Sequence, residues 1–344
     1  MISIPFKIYR LIFLTLGILL LVEIGLEIRA HERGWNTILG RLLDKLPSTG
    51  KGEPTPAHFG PSKDFPFRSL IKPFEKNPKI KRIWIASSSY AQDNYLNASK
   101  IFPNLLGVQL NQSGFPVQIL NAAQEGQSIV GNVKVLKEIA APWKPDYILL
   151  YQMNLDISEL SQPNSKHDAH DGPAAPLKQK SSLAEQYFEK TTIYQLLKEN
   201  LTARLSQSRI LTSDIGEDAR VVFRQRINDF LNISRSIGAT PILCTFATSH
   251  DLHHQNDIPA SVKDFMLRYN IYLSVSGWFK AIDQFNDDIR QIGKEQNIMV
   301  IDLNHYLSGD PKFFRDFVHF NPQGHKMMAQ VIAEKLLEKY PPEP

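Results

Sequence analysis

From Lys79 onward the chain alternates between short apolar runs and longer stretches in which apolar residues recur at helical spacing. The short runs are residues 80–86 (IKRIWIA), 117–120, 147–152 (YILLYQ), 241–246 (PILCTF) and 298–303 (IMVIDL). Their length and content predict strands. Residues 97–112, 128–140, 219–237, 277–296 and 323–339 predict helices; in the second, Val130, Val133, Leu136 and Ile139 share one face. Strands apolar along their whole length, with helices between them, belong in a parallel sheet covered on both sides. The expected fold is α/β: a doubly wound, parallel, five-stranded sheet in a flavodoxin-like three-layer sandwich. No internal repeat is visible.

Two regions depart from this rhythm. Residues 158–182 (SELSQPNSKHDAHDGPAAPLKQKSS) are polar and rich in helix breakers, which predicts a mobile loop, and residues 183–211 predict one or two extra helices. Together they form an insertion at about 158–215. It follows the third strand, at the end where ligands of open α/β sheets bind, so a lid or substrate wall is expected. At the other extreme, residues 11–22 (LIFLTLGILLLV) are uninterruptedly apolar, and Ile24, Leu26 and Ile28 extend the run past Glu23 and Glu27. The run alone has the length of a signal-peptide core. Counted over residues 8–26 it suffices for a bilayer span of about 20 residues. Ile28-Arg29-Ala30 is a poor small-x-small cleavage site. An uncleaved anchor within residues 1–34 is therefore expected, with a cleaved signal or a buried core helix as alternatives. Lys7 and Arg10 precede the run, which puts the N-terminus in the cytoplasm and the rest outside. The expected protein is a single-pass inner (plasma) membrane protein with an extracytoplasmic, periplasmic domain at residues 79–344. Residues 35–46 suggest a surface helix. Residues 47–78, with seven prolines and three glycines, suggest an extended tether.

Composition adds exclusions. Hydrophobic residues at 42% and charged residues at 22% belong to a globular chain. The formal charge of +4, from 39 Lys and Arg against 35 Asp and Glu, is too small to argue for a nucleic-acid surface. With one cysteine, Cys244, neither an internal disulfide nor a cysteine-based zinc cluster can form. His167, Asp168, His170 and Asp171 cluster in one loop, and His250, His253 and His254 in another. Both read as solvated loop residues, and no cofactor or metal is expected.

Polar residues at the strand ends carry the candidate chemistry. Ser87-Ser88-Ser89 follow the first strand, and a serine on such a turn can present its hydroxyl at the sheet edge. Gly126, in NAAQEGQS, follows the second strand, and Asn154, in LLYQMNLD, follows the third. A free backbone N–H and a side-chain amide are both suitable oxyanion donors. Asp316-Phe317-Val318-His319 stands directly before a helix-start signal, Asn321-Pro322. A carboxylate three residues before an imidazole can orient it as a general base. Asp251/His254 and Asp302/His305 have the same spacing, but the first lies in a polar loop and Asp302 falls inside the fifth strand, where an anchoring role is expected.

The order Ser, Gly, Asn, Asp-x-x-His, each after its own strand, resembles the SGNH (GDSL-like) hydrolase superfamily over about residues 79–339. The resemblance is most specific in DFVHFNPQGHKMMAQVIAEKL, with LNAAQEGQSI and FNDDIRQIGKEQNIMVIDL beside it. It implies Ser89 as nucleophile, His319 as base, Asp316 as its orienter, and Gly126, Asn154 and the Ser89 N–H as the oxyanion hole. Two positions depart from the family pattern. Ser87 stands where glycine is usual, and a shift of register would make Ser88 the nucleophile. Gln152 also replaces a glycine, and the acid that follows Asn154 comes one place late, at Asp156. The implied function is an esterase or O-acyltransferase acting through an acyl-serine. The membrane anchor points to an acylated envelope glycan or lipid as substrate. The alternative is a noncatalytic glycan-binding or assembly component of the envelope.

Overall fold

The computed structural model describes residues 6–32, 68, 77–162, 211–270 and 272–342. The expected loop and extra helices at 163–210, and the juxtamembrane segment and linker apart from residues 68, 77 and 78, lie outside the described residues. The chain divides into two compact units. The first includes residues 1–55, and its main described element is helix α1 (Phe6–Glu32). Along α1, Phe13, Leu14, Leu16, Ile18, Leu20 and Leu21 are exposed. Counted over the described residues, no helix is long and apolar enough to cross a membrane.

The second unit is the α/β body. Its strands are β1 (Lys81–Ser87), β2 (Val117–Asn121), β3 (Tyr147–Tyr151), β4 (Thr240–Cys244) and β5 (Met299–Ile301). They form one parallel sheet in the order β2-β1-β3-β4-β5. After Lys81, every residue of β1 is buried, as the unbroken apolar run requires of a strand covered on both faces. The helices are α2 (Ser89–Gln92), α3 (Phe102–Gln112), α4 (Ile129–Val135), α5 (Asn154–Leu160), α6 (Glu217–Ser236), α7 (Ala260–Tyr269), α8 (Val275–Gln296), α9 (Leu303–Leu307) and α10 (Pro322–Lys339). α3 packs on α10, while α4 packs on α6 and α6 on α8. This double winding matches the pattern read from the sequence.

Three details correct it. The helix expected from residue 97 begins at Phe102, where Pro103 fits the first turn. Residues 158–160, assigned to the mobile loop, close α5. The fifth strand stops at Ile301; Asp302 caps α9 by accepting from the His305 N–H, and its carboxylate pairs with Arg290.

The strand order fixes where a ligand site belongs. β2 and β3 flank β1, so the chain passes from one side of β1 to the other and leaves a crevice at its carboxyl end. Ser87 pairs with Tyr151 at that edge. Ser89 and Asn154 each open the helix that follows.

Candidate active site

The three serines at the end of β1 meet three environments. Ser87 Oγ donates to the Tyr151 carbonyl at 2.6 Å. Ser88 is the N-cap of α2, and its buried hydroxyl has no hydrogen-bond partner among the described residues. Ser89, partly exposed, has its Oγ 2.8 Å from Nε2 of His319. As the first residue of a helix, Ser89 has an N–H that no helical carbonyl takes.

His319 lies on a tight loop. Phe314 and Phe320 form an antiparallel bridge, and the Arg315 N–H donates to the His319 carbonyl at 2.8 Å. Asp316 braces the loop from inside. Its Oδ1 accepts from the N–H groups of Val318 (2.9 Å) and His319 (2.8 Å), and its Oδ2 lies 2.8 Å from His319 Nδ1. A carboxylate facing Nδ1 keeps the proton there, so Nε2 offers its lone pair to the Ser89 hydroxyl. Burial pushes the Asp316 carboxyl up; the charge and hydrogen bonds of His319, with Arg315, outweigh it and hold the carboxyl below its usual range. The loop sits directly on α10. Asn321 caps that helix through the Gly324 N–H at 3.0 Å, and any side chain at Gly324 would collide with the Phe313 carbonyl. The Tyr90 ring lies beneath, 5.3 Å from the His319 ring and 4.9 Å from that of Phe246.

The two other candidate donors come from the neighbouring strands. Gly126 has φ +75°, a left-handed conformation, and an added Cβ would meet nothing within 4 Å. Glycine is therefore required there by backbone conformation rather than by crowding. Its loop is tied to the nucleophile side: the Glu125 N–H donates to Gln92 Oε1, and Asn94 Nδ2 donates to Glu125 Oε1 at 2.9 Å. Asn154 is buried, and its Oδ1 accepts from Trp278 Nε1 at 2.9 Å and from Asn270 Nδ2 at 3.5 Å. An indole nitrogen only donates, so the amide must turn its oxygen to Trp278 and present Nδ2 as a donor on its other side, where the Tyr90 hydroxyl lies. Burial nonetheless drives that phenol well above its ordinary range.

Asp156, the displaced acid, joins the two donor loops. Its carboxylate accepts from the Ile129 N–H at 3.1 Å, from Gln152 Nε2 at 3.3 Å and from Arg226 Nη1 at 2.9 Å. Burial raises its carboxyl, and Arg226 and the Ile129 N–H oppose the rise without cancelling it. The first turns of α4 and α5, which follow β2 and β3, are thus clamped to each other and to α6.

Sequence reasoning did not point to Trp278, Asn270, Arg226 or Arg315. Trp278, Asn270 and Arg226 belong to no short motif and act from distant parts of the chain, while Arg315 stands directly before Asp316 with nothing in its residue type to mark it. Two of the remaining candidates make local contacts of their own. Asp251 Oδ1 accepts from the His253 N–H, and His250 Nδ1 pairs with Ser249 Oγ at 2.9 Å. Among the described residues no group of three or more His, Cys, Asp or Glu side chains could hold a metal ion; the His167–Asp171 cluster lies outside them.

A Ser–His–Asp chain at the carboxyl edge of a parallel α/β sheet is the arrangement by which serine hydrolases activate a hydroxyl. Among solved structures, the fold is similar to a lipase/acylhydrolase from Enterococcus faecalis (16% identity, TM-score 0.44, covering 77% of this chain and 99% of that one). It is also similar to a member of the lipolytic G-D-S-L family from Veillonella parvula (13% identity, TM-score 0.42, covering 76% and 98%). A third is a catalytic mutant of an acetylxylan esterase from Geobacillus stearothermophilus (10% identity, TM-score 0.45, covering 74% and 94%). No protein-family model matches the chain, and no curated protein does. Its chemistry is therefore read from its own side chains.

Proposed function

We propose that this protein is a serine esterase or O-acyltransferase. As Ser89 Oγ bonds to the carbonyl carbon of an ester, His319 Nε2 takes its proton and the carbonyl π pair moves onto oxygen. The Ser89 and Gly126 N–H groups and Asn154 Nδ2 hold that oxyanion. Collapse expels the alcohol, which leaves with the proton from His319, and an acyl-serine remains. Water or a sugar hydroxyl then attacks the acyl carbon, again giving its proton to His319, and the acid or new ester departs with Ser89 restored. Asp316 keeps the imidazole oriented and compensates its charge in both halves.

The observation carrying this reading is the unbroken chain from Ser89 Oγ through His319 to Asp316, with both links at 2.8 Å. Anchoring in the inner membrane through residues 8–26, with the catalytic domain outside, is part of the proposal. The apolar exposed length of α1 supports it, and a tethered esterase suits an acylated envelope glycan or lipid. A fluorophosphonate probe tests the chemistry. The wild-type protein and Ser88→Ala are expected to label, and Ser89→Ala is not. Equal labelling of Ser89→Ala would overturn the assignment. A protein that never labels would favour the noncatalytic envelope component.

A further inference from the structure

Behind the triad lies a second buried constellation that the mechanism above does not use. Asp93 ends α2, four residues after Ser89, and its N–H donates to the Ser89 carbonyl at 2.9 Å. Its φ of +29° lies in the region that favours glycine, yet the position carries a fully buried carboxylate. That carboxylate is heavily engaged. Arg315 Nη1 reaches it at 3.1 Å and His325 Nε2 at 3.1 Å. His325 Nδ1 accepts from the Phe102 N–H, so its proton sits on Nε2 and the ring is neutral as it donates to Asp93. Arg315 is the hinge of the arrangement: its Nε stands 4.0 Å from Asp316 Oδ2, and its backbone holds the His319 carbonyl.

The charges near His319 come from each element around it. Its own loop brings Asp316 and Arg315. α2 brings Asp93, with Ser89 and Tyr90, and α10 brings the neutral His325. Arg68 Nη1 donates to the Asp93 carbonyl oxygen and also feels Glu125. The loop after β4 touches Phe317 through the Ser249 N–H and carries His250. In this set Arg315 is the cation on the base's own loop, where it opposes the imidazolium that must form whenever His319 takes a proton. Few waters can screen it, since Arg315 is 11% exposed and Asp93 not at all.

We propose that Asp93 is a positioning residue for the base: its carboxylate holds and neutralises Arg315 beside Asp316, so that His319 can accept the Ser89 proton. This would account for a carboxylate at a backbone position that suits glycine. The burial of Asp93 works against its charge, but His325 and Arg315 outweigh that and keep it ionised.

The inference rests on the proposed serine chemistry, and one experiment separates the two. The rate of fluorophosphonate labelling is followed against pH. Asp93→Asn keeps the shape and loses the charge, so the acid limb of the profile is expected to move to lower pH. Arg315→Met is expected to move it to higher pH, and Arg315→Lys to restore it. Should Asp93→Asn fail to fold, the Arg315 pair still decides. A mere bolt between α2 and α10 would lower the melting temperature and leave the limb in place, which overturns this inference alone. A wild-type protein that does not label overturns both.

Discussion

Side by side at the end of β1, Ser88 and Ser89 carry the same side chain in opposite surroundings. One hydroxyl is sealed in the interior; the other faces an imidazole lone pair. The same reasoning gives Trp278 a task. Its N–H selects which end of the Asn154 amide faces the site, so Trp278→Phe, which keeps the bulk of the ring, is expected to lower kcat roughly 10- to 100-fold with KM little changed. Steady-state kinetics on an aryl ester check this, and an unchanged kcat would show that Asn154 is held in place without the indole. The strand end narrows the nucleophile to Ser88 or Ser89, and the place of Asp316 and His319 before the closing helix, with the family resemblance, sets that pair above two others of the same spacing. Trp278 could not be found in this way: 124 residues separate it from Asn154, and no motif links them.

At the scale of elements, the clamp from Asp156 to Ile129 and Arg226 decides how the two donor loops sit. Both charges are buried, and removing one partner strands the other, a loss of about 3–5 kcal/mol. Arg226→Met is expected to destabilise the domain by that order in urea unfolding; a loss below about 1 kcal/mol would mean that water reaches Asp156. The strands were readable because continuous burial leaves continuous apolar runs. α5 was not, because its sequence, NLDISEL, mixes acids into a helix that hides Asn154, Asp156, Ile157 and Leu160. The start of α9, at Leu303, reads as part of the fifth strand because IMVIDL is apolar on both sides of Asp302, while the Asp302 cap that stops the strand is a single residue.

For the whole molecule, sequence order and sheet order carry the argument together. Residues 89, 126, 154 and 319 are far apart along the chain, and the β2-β1-β3 arrangement sets the loops after those three strands side by side at one edge. α1 carries a separate expectation. If residues 8–26 anchor the protein, the full chain should remain in the membrane pellet after alkaline carbonate extraction, and a chain beginning at residue 35 should be released. Release of the full chain would refute the anchor and leave the catalytic proposal untouched.

Most direct of all is the position of the covalent adduct. After reaction with a fluorophosphonate, tandem mass spectrometry of the peptide spanning residues 83–100 is predicted to place one phosphonyl group on Ser89, formed far more slowly in His319→Gln. An adduct on Ser88, or one on Ser89 whose rate of formation does not depend on His319, would contradict the triad.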